Sequence, residues 1–153
     1  MREMDADDPL ADALAAALPL LHIGDERTII ADAALALGWR SIARDHFKHE
    51  PPSPLEIENA ITAVEDQVER AHKAIAKGGV LRTRDPAMRA IALAAGVPQS
   101  AQTKLALEAV EQMFTRLAAG ARGLPAGHEF SATLLILREL MHHLGFSSVL
   151  IDT

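Results

Sequence analysis

Three arginines crowd one short stretch of this chain: Arg82 and Arg84 flank Thr83, and Arg89 follows five residues on. Guanidinium groups around a hydroxyl are residue types that grip an anion, through forked donors and full charge. The commoner explanation of such a cluster is solvation around a strand end, next to a helix that Asp85 caps and Pro86 opens. A second candidate is metal chemistry. Glu69-Arg70-Ala71-His72 and Glu139-Leu140-Met141-His142 repeat the Glu-x-x-His spacing by which di-iron bundles put two ligands on one helical face. With 11 glutamates and seven histidines in 153 residues, chance supplies such pairs readily. A bundle also needs four long helices, and Pro19, Gly24, Gly38 and Pro51-Pro52 interrupt the first third of the chain. The ligand set Glu69, His72, Glu139 and His142 therefore belongs only to that alternative.

Other chemistry-bearing residues have plainer readings. His46-x-x-His49 stands before a Pro-Pro break with no third ligand in sequence reach. His142-His143 close a helix, where protonated imidazoles favour the dipole. Ser53, Ser100 and Ser131 read as helix caps, and Trp39, the single tryptophan, reads as a core anchor. No Gly-x-Ser-x-Gly elbow, Gly-x-Gly-x-x-Gly or Gly-x-x-x-x-Gly-Lys occurs. No catalytic residue is assigned and no cofactor is expected.

The elements that would position these residues follow from periodicity and punctuation. Residues 1–8 are an acidic, disordered start, and Asp8-Pro9 opens an Ala-rich helix that Pro19 stops. Leu20–Ile23 and Thr28–Ala31 flank Gly24-Asp25 and predict a hairpin. Ala33–Leu37 favours helix by propensity, with a buried strand as the alternative. Trp39–Phe47 is a short helix. Ser53-Pro54-Leu55-Glu56 is a capping box, and Ile57, Ile61, Val64, Val68, Ala71 and Ile75 form one apolar stripe behind it. That pattern predicts a helix over 54–77, on the order of 35 Å long at about 1.5 Å per residue, with Gly78-Gly79 as its stop. Val80–Thr83 is a strand, 85–95 a helix, and Ser100 caps a further helix over 101–119. Phe130–Leu144 is apolar nearly all round and must be covered on several sides. Val149–Ile151 is a closing strand.

Composition bounds the rest. A chain of 153 residues that is 49% hydrophobic and 24% charged makes one soluble globular domain, here over 9–153. Its net charge of −6 argues against nucleic acid and anionic membranes as partners. Without cysteine there is no disulfide, thiolate nucleophile or Cys-ligated metal. No apolar run approaches the ~18 residues of a spanning helix, and the start lacks a signal-peptide profile, so the cytoplasm is the expected compartment.

Strands separated by helices imply an α/β layer structure. The order of elements goes further. Leu21-His22-Ile23-Gly24-Asp25, Ala36-Leu37-Gly38-Trp39 leading through Arg44-Asp45-His46-Phe47, and Ser131-Ala132-Thr133-Leu134-Leu135-Ile136-Leu137 running to Leu144-Gly145-Phe146 carry a diffuse likeness. From Leu20 onward the chain resembles the second half of the exopolyphosphatase and guanosine pentaphosphate phosphohydrolase (Ppx/GppA) family. That resemblance implies a degenerate ribonuclease-H-like (actin-like ATPase) half-domain, a small mixed sheet packed with long helices.

The departures from the family are as informative. Where the family has a glycine-rich phosphate turn before the first hairpin, this chain has Ala11–Leu18, without glycine. A second phosphate turn corresponds to Arg82–Pro86, again without glycine. The family's first domain, with its metal ligands and catalytic glutamate, has no counterpart in these residues. The resemblance thus implies a non-catalytic binding or protein-interaction module, paired as a homodimer or with another protein and offered a phosphate-containing ligand at Arg82, Thr83, Arg84 and Arg89. The alternative is a phosphoanhydride phosphatase, magnesium-dependent, with its site assembled across a dimer.

Overall fold

Gly127 and Gly145, at φ of 107° and 74°, bracket the helix around which the molecule is built. In the computed structural model, which describes residues 9–153, this helix spans His128–Leu144 and is the last of six. The others are α1 (Pro9–Ala16), α2 (Trp39–His46), α3 (Pro54–Ala71), α4 (Pro86–Ala94) and α5 (Leu107–Ala118), which makes it α6. Its side chains from Phe130 to Leu137 are all buried, as are Leu140, Met141 and Leu144. Helices α2, α3, α4 and α5 pack around it and strand β6 lies beneath, so the all-round apolar sequence meets an all-round neighbourhood. The acidic start over residues 1–8 lies outside the described residues.

Six strands form one mixed sheet: β1 (Leu20–Ile23), β2 (Thr28–Ile30), β3 (Ala33–Leu35), β4 (Gly79–Thr83), β5 (Gln102–Ala106) and β6 (Phe146–Asp152), in the order β3-β2-β1-β4-β6-β5. The first three are an antiparallel meander, β4 runs parallel to β1, β6 parallel to β4, and β5 antiparallel to β6. Pairings such as Leu21 with Thr83, Leu81 with Val149 and Thr103 with Ile151 line up residues of one face. That face is buried. Its neighbours in sequence, Leu20, His22, Ile29, Ala34, Gln102 and Lys104, point the other way and are exposed.

The expected small mixed sheet packed with long helices is present, and it excludes the helical bundle. Five details differ from the sequence reading. Residues 102–106 form an edge strand rather than the first turns of a helix, because pairing with β6 outweighs the helix propensity of Gln, Lys, Leu and Ala. Ala33–Leu35 is likewise a strand, held by β2. The helix predicted over 54–77 ends at Ala71, about 27 Å along, and a single 3-10 turn, His72–Ala74, follows it. Of the three expected serine caps only Ser53 holds a helix: its Oγ accepts from Glu56 N, and the Glu56 carboxylate accepts from Ser53 N. Ser131 is buried inside α6, and Ser100 closes the turn before β5. Trp39 is only partly buried, at the margin of the core.

Gly38 shows why the meander and the helical layer stay together. The first amides of α2, on Trp39, Arg40 and Ser41, donate to the carbonyls of Gly24 and Asp25 in the hairpin turn. This approach is so close that a Cβ on Gly38 would stand 2.2 Å from the Gly24 oxygen. Only glycine fits.

Candidate functional site

Strands β1, β4 and β6 run parallel, so their carboxyl ends emerge together, the edge at which open α/β sheets bind ligands. Arg82 and Arg84, two residues apart, fall on the open side of β4. They line a cleft of about 560 Å³ with Gln102, Asp152, Thr153 and the end of α1 at Ala15 and Ala16. Arg82 Nε donates to Asp152 Oδ2 at 2.6 Å, and Gln102 Nε2 donates to Asp152 Oδ1 at 3.2 Å. Partial burial pushes the Asp152 carboxyl up, but the donors from Arg82 and Gln102 and the charges of Arg82 and Arg84 outweigh it and hold it below its ordinary value. Arg84 is exposed.

Of the four residues singled out around this stretch, Arg82 and Arg84 line the cleft, and Thr83 and Arg89 lie away from it. Thr83 is fully buried, and its Oγ1 accepts from Asp85 N. Arg89 sits on α4, turned to the β5–β6 edge, where it donates to Gln99 Oε1 at 3.1 Å and to Thr103 Oγ1 and the Ile151 carbonyl at 3.4 Å. It braces a turn. The Asp85 carboxylate does not cap α4. It accepts from Ile23 N at 2.8 Å and meets His22 Nδ1 at 2.7 Å, tying the end of β1 to the start of α4. The cleft therefore offers one arginine already matched by a carboxylate and one arginine facing solvent. Asp152 and Gln102, which bond to each other beside Arg82, were invisible in the sequence because they come from strands 70 and 20 residues away from it.

The Glu-x-x-His residues also separate. His72 Nδ1 meets the Glu69 backbone carbonyl at 2.7 Å, and His142 Nδ1 lies 3.7 Å from Glu111. Glu139 is buried and contacts the next histidine instead: His143 Nε2 is 3.2 Å from Glu139 Oε1 and 3.2 Å from Glu65 Oε2. Among the described residues, Glu65, Glu139 and His143 are the group of potential ligands that comes together. Two helices supply it, α3 with Glu65 and α6 with a pair one turn apart.

No protein-family model and no curated protein sequence matches this chain. Solved structures do. The Aquifex aeolicus PPX-GPPA enzyme superposes with a TM-score of 0.69 over 88% of this chain and 52% of its own, at 12% identity. The type II variant of the Aquifex aeolicus Ppx/GppA phosphatase gives 0.67 over 92% of this chain and 56% of its own, also at 12% identity. An exopolyphosphatase-like protein gives 0.66 over 88% and 54%. The chain has the Ppx/GppA fold. It spans about half the length of each of these structures, as expected of a resemblance to one half of such a protein, and the fold is of the actin-like, ribonuclease-H-like kind.

In this chain α1 and the residues just after it lead into β1, and Arg82–Pro86 leads straight into α4. Among the described residues, no helix is long and apolar enough to cross a membrane.

Proposed function

We propose that this exopolyphosphatase-related chain is a non-catalytic protein-interaction module whose partner is a second copy of itself. The observation that carries the reading is where apolar surface is left uncovered. Of the six large hydrophobic side chains exposed among the described residues, Leu10, Leu14, Leu20 and Ile29 belong to α1 and the first hairpin. Leu10 and Leu14 are one turn apart on α1, while Leu20 and Ile29 lie on the open face of the sheet. An apolar helix and a sheet face lacking a helix complement each other in layer architectures. A two-fold pair, with α1 of each copy laid on the open face of the other, covers both. Phosphoanhydride hydrolysis needs donors and charge aimed at the transferring group from both sides. Here Asp85 and Asp152 are each engaged by neighbouring donors, which supports a binding role over a catalytic one. The test has two readings on one sample. With polyphosphate and magnesium, no phosphate release above the blank is expected, and amides of β1 to β3 gain hydrogen-exchange protection as concentration rises. Release that scales with protein, or protection independent of concentration, contradicts the proposal.

One observation favours a second reading, a phosphoanhydride phosphatase assembled across that dimer. The cleft at Arg82 and Arg84 opens beside α1, the element that would bring the second copy. Magnesium-dependent release abolished by Arg84→Glu would establish it.

A further inference from the structure

We propose that Glu65, Glu139 and His143 form a binding site for one divalent transition-metal ion of the zinc class, on the helical side of the molecule and away from the arginine cleft. Three observations support it independently of the proposed interaction role. The first is spacing. A zinc ion with bonds of about 2.0–2.2 Å holds neighbouring ligand atoms roughly 3.0–3.5 Å apart. His143 Nε2 lies 3.2 Å from both the Glu65 and the Glu139 oxygens, and all three ligand atoms fall within 4.8 Å of one another.

The second is a proton shortage. A neutral imidazole carrying hydrogen on Nε2 has one proton for two carboxylate oxygens at equal distance, and with hydrogen on Nδ1 it turns a lone pair towards both. In the first case one of the two oxygens receives no hydrogen from Nε2, and in the second neither does. A cation at that point satisfies both oxygens and uses the nitrogen lone pair. The third is charge. The connected network on α3, α5 and α6 contains Glu65, Glu111 and Glu139 against Arg138, with His142 and His143 as the only other ionisable members. Arg138 Nη1 holds the outer oxygen of Glu139 at 2.6 Å and its Nε holds Glu111 at 3.1 Å. The three carboxylates exceed the single guanidinium by two negative charges, the charge of one divalent ion.

Access and ion type follow from the surroundings. Glu65 and His143 also line a cavity of about 400 Å³, shared with Asp66, Glu69, His72 and Lys77. Acidic groups outnumber the lysine there, which draws a cation in. Three protein ligands leave a coordination position open to that cavity for water or an anionic ligand, the pattern of exchangeable zinc sites. One imidazole with two carboxylates suits zinc or manganese better than magnesium, which prefers an all-oxygen octahedral shell. Glu139 is buried, unlike the exposed carboxylates that cluster on many surfaces without an ion.

Calorimetric titration of the chelator-treated chain with zinc chloride at neutral pH is the test. The expected result is one ion per chain, with affinity reduced at least tenfold in both His143→Ala and Glu65→Gln and unchanged within about twofold in His142→Ala. Cobalt(II) substitution should give a visible band in the wild type that His143→Ala removes. Glu65→Gln lies on the half-exposed rim and keeps the test open should His143→Ala fail to fold. No stoichiometric binding overturns the site. So does binding that persists in both variants, which would mean an adventitious ion on surface histidines only.

Discussion

The two faces of the sheet are made from the same short strands and end up in opposite condition. On one, Leu21, Ile30, Leu81, Leu105, Val149 and Ile151 are at most 1% exposed beneath the helical layer. On the other, Leu20 is 43% and Ile29 38% exposed, beside His22, Gln102 and Lys104. An antiparallel sheet with one solvated face normally alternates apolar and polar residues. The packed face is apolar apart from Thr28, Thr83 and Thr103, whereas the open face breaks the rule in the hairpin, where two large apolar residues sit in the exposed positions. The contrast locates unfinished burial in the region that precedes and includes the first strands, and leaves the α6 side complete.

Breaking the contrast by mutation should give effects that fall in order. Leu81→Ala removes a fully buried side chain between sheet and helices, with an expected loss of about 2–5 kcal/mol in urea denaturation. Ile29→Ala, on the opposite face, should cost less than about 1 kcal/mol in a monomer. Equal costs would show that the open face is covered in solution within one chain. Arg82→Ala falls between these two, at about 1 kcal/mol at neutral pH, because it strands the partly buried Asp152 carboxylate. The folded Asp152 value is depressed, so the pair's contribution is complete above the ordinary value of 3.8 and is lost as pH falls below it. Chemical denaturation followed against pH should find wild type and Arg82→Ala converging in acid.

The smallest effect belongs to the capping box on the helical side. Backbone hydrogen bonding from Ser53, with further help from His49 and Lys48 against the effect of desolvation, lowers the Glu56 carboxyl from 4.5 to about 2. Its stabilising contribution is therefore present above pH 4.5 and declines as pH falls through about 2. Glu56→Gln should lower the melting temperature slightly at neutral pH, and the difference should vanish over that window. A constant difference down to pH 2 would assign the effect to lost packing instead.

Much of the packed side could be read from residue order. The Ser53-Pro54-Leu55-Glu56 box, the hairpin around Gly24-Asp25 and the all-apolar helix ending at Gly145 each have a local cause and stand where the pattern places them, while the helix behind the box ends at Ala71 instead of 77. Strand β5 was not legible as a strand. Thr103 and Leu105 alternate with Gln102 and Lys104 in burial, a period-two signal, but the residues are good helix formers and the decisive partner, β6, is some 50 positions further on. The same reason hides the sites. The sequence clusters Arg82 and Arg84 at a strand end, yet nothing local announces Asp152 as the carboxylate that neutralises Arg82. Glu139 was picked out with His142, three residues on, whereas the group that comes together uses His143, four residues on, and Glu65 from another helix. Helical neighbours at three and four residues are equally close in sequence logic, and only tertiary packing chooses between them.

Light scattering coupled to gel filtration at micromolar concentration tests the open face most directly. The expected wild-type mass is twice 16.4 kDa, and a double substitution of Leu20→Asp with Ile29→Asp should give a single chain that still unfolds cooperatively. A wild-type chain that elutes at 16.4 kDa throughout the micromolar range would contradict pairing through this surface.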